Sequence, residues 1–170
     1  MHTSPRIAFS QFRSGEDPML LAWARFRSRL APAPDVASIG DRLGSVAKEP
    51  LSIERTIWRL FASNNREVAR SARVYGSFLA AREHVLMLQS RVAELDVQFV
   101  RGPETGSYGW TVALDDRAAA TCARWYPSSA CTEAVTSALV LLDHADVAKE
   151  WRWASGGGGQ RPVAETSTWR

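Results

Sequence analysis

A short pattern occurs twice between Trp58 and Leu142, and it limits what the chain can fold into more than any other feature. With Arg66 laid on Arg117, Ala69 meets Ala120, Ala72 meets Ala123, Arg73 meets Arg124, Tyr75 meets Tyr126 and Ser77 meets Ser128. RSARVYGS thus lies over TCARWYPS. One residue fewer in the second turn, at Asp115-Asp116, brings Trp58 onto Trp110. Each copy reads as one hairpin and one helix, too small to bury its own apolar face. Two copies side by side can share a sheet and cover it with two helices, which is a layered α+β arrangement.

Local patterning fills in the elements. Arg6 to Phe12 alternates Ile7 and Phe9 and predicts a short strand. Asp17-Pro18 suits a helix start, with Asp as cap and Pro at the first position. Met19, Leu20, Trp23, Phe26 and Leu30 then recur at helical spacing. A second helix is expected from Val36 to Ala47, weakened by Gly40 and Gly44. Ile53 to Ala62 and Glu67 to Tyr75 read as a hairpin around Ser63-Asn64-Asn65-Arg66, because Asn tolerates left-handed backbone. Ser77 can cap a helix running to about Leu95, buried through Ala81, Val85, Leu88 and Val92. Val97 to Val100 is a short strand, and Val147 to Trp153 a closing one. The division that follows is an N-terminal extension with one or two helices (1–50), a first repeat (51–100), a second repeat (101–154) and a flexible Gly-rich tail (155–170). The expected fold is α+β: two tandem ββαβ-like repeats in one antiparallel-rich sheet, helices on one face, with a helical N-terminal extension.

These residues resemble the YegP-like family of small proteins, which carry one or two copies of such a domain. The first copy offers Trp58, Leu60, Ala62, Asn64, Val68, Tyr75, Ser77, Ala81, Val85 and Leu88. The second offers Trp110, Val112, Leu114, Asp116, Ala119, Tyr126 and Ser128. Phe78 and Ser129 stand where the family usually has Lys, and His84 and Val135 where it tends to have Gly. The resemblance implies that the strand after each helix is exchanged between repeats, with Val97–Val100 and Val147–Trp153 in that role. It brings no reaction and therefore no active site.

Composition narrows the function classes. The net charge of +3 permits anionic partners without demanding them. Of 21 basic residues only Lys48 and Lys149 are lysine, so cationic chemistry falls to guanidinium groups. Cys122 and Cys131 are too few and too far apart for a zinc site and are expected as small buried residues. His2, His84 and His144 have no Cys, Asp or Glu cluster around them in sequence. No cofactor or metal is expected. No apolar run is long enough for a membrane span, and no secretory pattern opens the chain, so the cytoplasm is the expected location.

Two readings of the Arg-x-Tyr pairs stand side by side. Strand alternation puts Arg73 with Tyr75, and Arg124 with Tyr126, on shared faces. They can stack on bases or peptide groups, or Tyr can pack under the helix start while Arg reaches water. Trp58 and Trp110 are expected in the core, whereas Trp125, Trp151 and Trp153 fall at strand ends. The candidate binding surface is therefore Arg73, Tyr75, Arg124, Trp125, Tyr126, Trp151 and Trp153. The expected function is a noncatalytic interaction module, not an enzyme, that binds another protein or itself. Nucleic-acid binding is the alternative, and it requires Arg73, Arg124 and Trp125 exposed together.

Overall fold

The computed structural model describes residues 4–30 and 54–154. The expected helix from Val36 to Ala47 and the Gly-rich tail lie outside them. Twelve elements follow in order: β1 (Arg6–Phe12), α1 (Pro18–Leu30), β2 (Arg55–Phe61), β3 (Glu67–Ser71), α2 (Phe78–Ser90), a single 3-10 turn (Val92–Glu94), β4 (Asp96–Arg101), β5 (Ser107–Leu114), β6 (Arg117–Cys122), β7 (Tyr126–Pro127), α3 (Ser128–His144) and β8 (Asp146–Trp153). The fold is mixed α/β around one eight-stranded sheet.

Side-chain chemistry sets the local boundaries. The Asp17 carboxylate accepts the Met19 N–H at 2.8 Å and starts α1. The Ser77 hydroxyl accepts the Ala80 N–H at 3.1 Å and starts α2. The first hairpin turns on Asn65 (φ 65°), the second on Asp115 and Asp116 (φ 50° and 61°), two consecutive left-handed residues as a tight hairpin needs. The strand expected to Tyr75 stops at Ser71, and Tyr75 returns to pair with Thr56 as an isolated bridge.

The strand order is β4-β5-β6-β3-β2-β1-β8, with β7 beside β5. Neighbours along that path are antiparallel except β1 and β8, which run parallel. Two expectations change here. The N-terminal segment is more than a helical extension, because β1 enters the sheet between β2 and β8. The strand after α2 does lie on the second hairpin, β4 on β5, but the strand after α3 lies on β1 and not on the first hairpin. The registers show why: Phe9 faces Trp58 and Ile7 faces Leu60, just as Phe99 faces Trp110 and Val97 faces Val112. β1 thus holds beside the first hairpin the place that β4 holds beside the second.

The helices divide between the two faces of the sheet. α2 buries Ala81, Val85 and Leu88, and α3 buries Cys131, Val135, Ala138 and Leu142. Both meet the sheet face that carries Ile7, Phe9, Trp58, Leu60, Trp110 and Val112. α1 instead joins Leu20 and Trp23 to Phe12 and Ile57. Ile57 neighbours Trp58 on one strand, so it points to the opposite face. The apolar stripe of α1 finds its cover there, and the Trp23 indole N–H donates to the Ser71 carbonyl at 3.1 Å. Near the other end of α1, Phe26 packs on Trp125 (5.2 Å between ring centres). Gly109 permits this approach: a Cβ there would lie 2.6 Å from Leu30 and 2.8 Å from the Trp125 ring.

Candidate functional site

The seven residues singled out in the sequence do not make one surface. Tyr75 and Tyr126 are buried, with 7% and 8% of their surface exposed, which corrects their place on a binding surface. Arg73 is half-buried and donates to the Ala118 carbonyl at 3.3 Å. Trp125 is half-buried against Phe26. Only Arg124 of the trio Arg73, Arg124 and Trp125 is exposed, with its guanidinium 5.1 Å from the centre of the Tyr126 ring. Trp151 and Trp153 stand edge to face on β8, 4.8 Å apart, and Trp153 is exposed with Arg13 over its ring.

Tyr75 belongs to a buried chain of polar tips that includes His84, which the sequence reading left off the candidate surface. Indole can only donate, so the Tyr75 hydroxyl oxygen accepts the Trp58 N–H at 3.2 Å. Its own proton is then free to go to Nδ1 of His84, 2.5 Å away. Burial pushes the Tyr75 phenol up to about 12. Burial first, and then the Arg73 charge, hold His84 down at about 4. His84 lies on the Ala81–Val85–Leu88 stripe, and that spacing was a usable signal.

A pH dependence follows. His84 is neutral in the folded chain down to about pH 4 and has an ordinary value of 6.5 when unfolded. The unfolded chain binds the extra proton first, so this contribution is complete above pH 6.5 and is lost as pH falls toward 4. The expected loss is about 1–2 kcal/mol, discounted because the ring is partly exposed. Denaturant titrations between these pH values should show a slope that His84→Gln flattens; an unchanged slope would count against this assignment.

Burial also raises the two thiols, Cys122 to about 11 and Cys131 in the same direction, so both are protonated near neutral pH. Among the described residues no group of three or more His, Cys, Asp and Glu is placed to hold a metal. Among them, no helix is long and apolar enough to cross a membrane.

Two regions at the ends of the sheet stand out. At the β1/β8 end, β8 departs from its register between the pairs Ile7–Val147 and Phe9–Trp151. A hollow of about 850 Å³ opens there, lined by Arg6, Arg59, Phe61, Arg152, Trp153 and Met19 among others. The Arg6 and Arg59 guanidinium groups lie 4.9 and 5.2 Å from the centre of the Phe61 ring. Arg59 also donates to the Ser10 hydroxyl at 3.2 Å and pairs with Glu67 at 3.8 Å. Asp146 and Glu150 line the same hollow and temper its charge.

At the opposite end, β4 is the last strand of the sheet among the described residues. All six of its residues pair with β5 without a register shift. The Gly102 N–H donates to the Ser107 carbonyl at 2.7 Å, one step beyond the Arg101–Tyr108 pair. Antiparallel ladders alternate, so Val100, Gln98 and Asp96 also turn their backbone groups toward β5. Val97, Phe99 and Arg101 therefore present N–H and C=O outward. Phe99 is 52% exposed. The other edge strand, β8, carries Lys149, Glu150 and its register shift, all features that discourage pairing. β4 carries charges only at its two ends, Asp96 and Arg101, and has no Pro and no bulge.

No family model, no curated protein and no solved structure matches the chain.

Proposed function

We propose that the chain is a noncatalytic interaction module that takes up an extended protein strand along the free edge of β4. The carrying observation is the row of backbone groups at Val97, Phe99 and Arg101 that no other described strand pairs, beside an exposed aromatic ring. An edge of this kind is a template for strand addition: the main chain supplies affinity, and alternate side chains supply selectivity. Of the groups with displaced pKa values, Tyr75, His84, Cys122 and Cys131 are pushed toward their neutral forms by burial, and Arg91, Glu94 and Asp115 are held in their charged forms by hydrogen bonds to one another, which suits a scaffold better than a reaction centre. The matched registers around Trp58 and Trp110 support a duplicated YegP-like unit, with β1 taking the place of the exchanged strand beside the first hairpin.

The test is a titration of the full chain with a short extended peptide of alternating valine and threonine, followed by amide resonances. The Val97, Phe99 and Arg101 amides should shift, and a peptide N-methylated on its pairing edge should shift none of them. Undisturbed β4 amides at saturation would refute the reading.

A second reading rests on the hollow where Arg6, Arg59 and Arg152 meet Phe61 and Trp153. Guanidinium and aromatic groups together suit a single-stranded nucleic acid. Under that reading a labelled single strand perturbs residues of the hollow and leaves β4 alone, and its affinity falls steeply with salt.

A further inference from the structure

We infer that β4 pairs antiparallel with β4 of a second copy, in the register that sets Phe99 opposite the partner's Phe99. This rests on the strand-addition reading above and names its occupant.

A two-fold axis between antiparallel strands stands perpendicular to the sheet. Residues facing each other across it share a sheet face. Only registers that keep Val97, Phe99 and Arg101 on one side of the ladder are therefore allowed. These are also the residues whose backbone groups point outward from β5. With Phe99 on the axis, Val97 falls opposite the partner's Arg101 and Arg101 opposite the partner's Val97. Every outward N–H then meets an outward C=O, and none of the three residues on either strand is left over. Shifting the register by one repeat unit in either direction leaves an outward residue at one end without a counterpart in the partner's β4.

The side chains agree with the same arrangement. The exposed Phe99 ring gains an aromatic neighbour directly across the strand pair. The axis keeps α2 and α3 of both copies on one face. One strand pair with one aromatic pair buries less than a standard interface of ~1,600 Å², so the association is weak and concentration-dependent.

The experiment is light scattering on the full chain across concentration, with Phe99→Lys and Phe99→Glu made separately and then mixed. Half the Phe99 side chain faces solvent, so both variants should retain the wild-type circular dichroism. The wild-type mass should rise from 18.8 kDa toward twice that value. Each variant should stay monomeric because like charges meet on the axis, and the mixture should dimerise because opposite charges do. A second measurement needs no variant: amide exchange at Val97, Phe99 and Arg101 should slow as the wild-type concentration rises. A wild-type chain that stays monomeric with unprotected β4 amides overturns the inference, as does a mixture that fails to associate. If that monomer still takes up the valine–threonine peptide, only the self-pairing is lost; if it does not, the module reading falls with it.

Discussion

A chain lacking residues 1–12 is expected to lose its cooperative unfolding transition altogether. β1 is an interior strand: it pairs with β2 from Arg6 to Phe12 and with β8 on its other edge. Its removal strips the partner from both. It also deletes Ile7, Phe9 and Phe12, all 3% exposed or less, and with Phe9 the edge-to-face packing on Phe78 that ties α2 to the sheet. Each such side chain is worth about 1.5–3 kcal/mol in burial alone. The three together approach the ~5–15 kcal/mol that holds a typical domain folded. A thermal melt by circular dichroism, with an amide spectrum, reads the outcome. A sharp transition within a few degrees of the full chain would mean that β1 is dispensable and that the pairing described for it is wrong.

Trp58→Ala should be the costliest single substitution, at about 3–5 kcal/mol. Trp58 is fully buried at the centre of the shared core, and its N–H is what the Tyr75 hydroxyl accepts. The milder pair of variants separates packing from hydrogen bonding. Trp110 is equally buried, but its N–H has no partner among the described residues. Trp58→Phe therefore removes volume and a hydrogen bond together, whereas Trp110→Phe removes volume and an unsatisfied donor. The first should cost more than the second by about 1 kcal/mol or more. Urea midpoints with unchanged slopes would report it, and equal losses at the two sites would deny any energetic role to the Trp58–Tyr75–His84 chain.

The sequence carried the elements better than their neighbours. Alternation of Ile7 and Phe9 marked β1 with its true bounds, because one strand's pattern is local. Which strand it would pair with depends on long-range register, and β1 mimics β4 only once both are seen against Trp58 and Trp110. The stripe of α1 was legible, but a helical stripe does not say which face of a sheet it will cover. Tyr75 and Tyr126 were open to two readings, and burial favours packing under the helix starts. The edge at β4 could not be read at all, since no residue announces that its strand is the last in the sheet. Phe99 then appears as an ordinary apolar member of an alternating run.

The parallel contact between β1 and β8 has a consequence for how the molecule is made. The two strands lie at opposite ends of the described chain, with every other element synthesised between them. As the nascent polypeptide leaves the ribosome, β1 can close on β2 early but must wait for β8 until every other described element has emerged. Through that interval one side of β1 stays open to whatever strand passes. Completion of the sheet thus waits for β8, the last of the described elements, and contacts spanning so much sequence make that closing step slow.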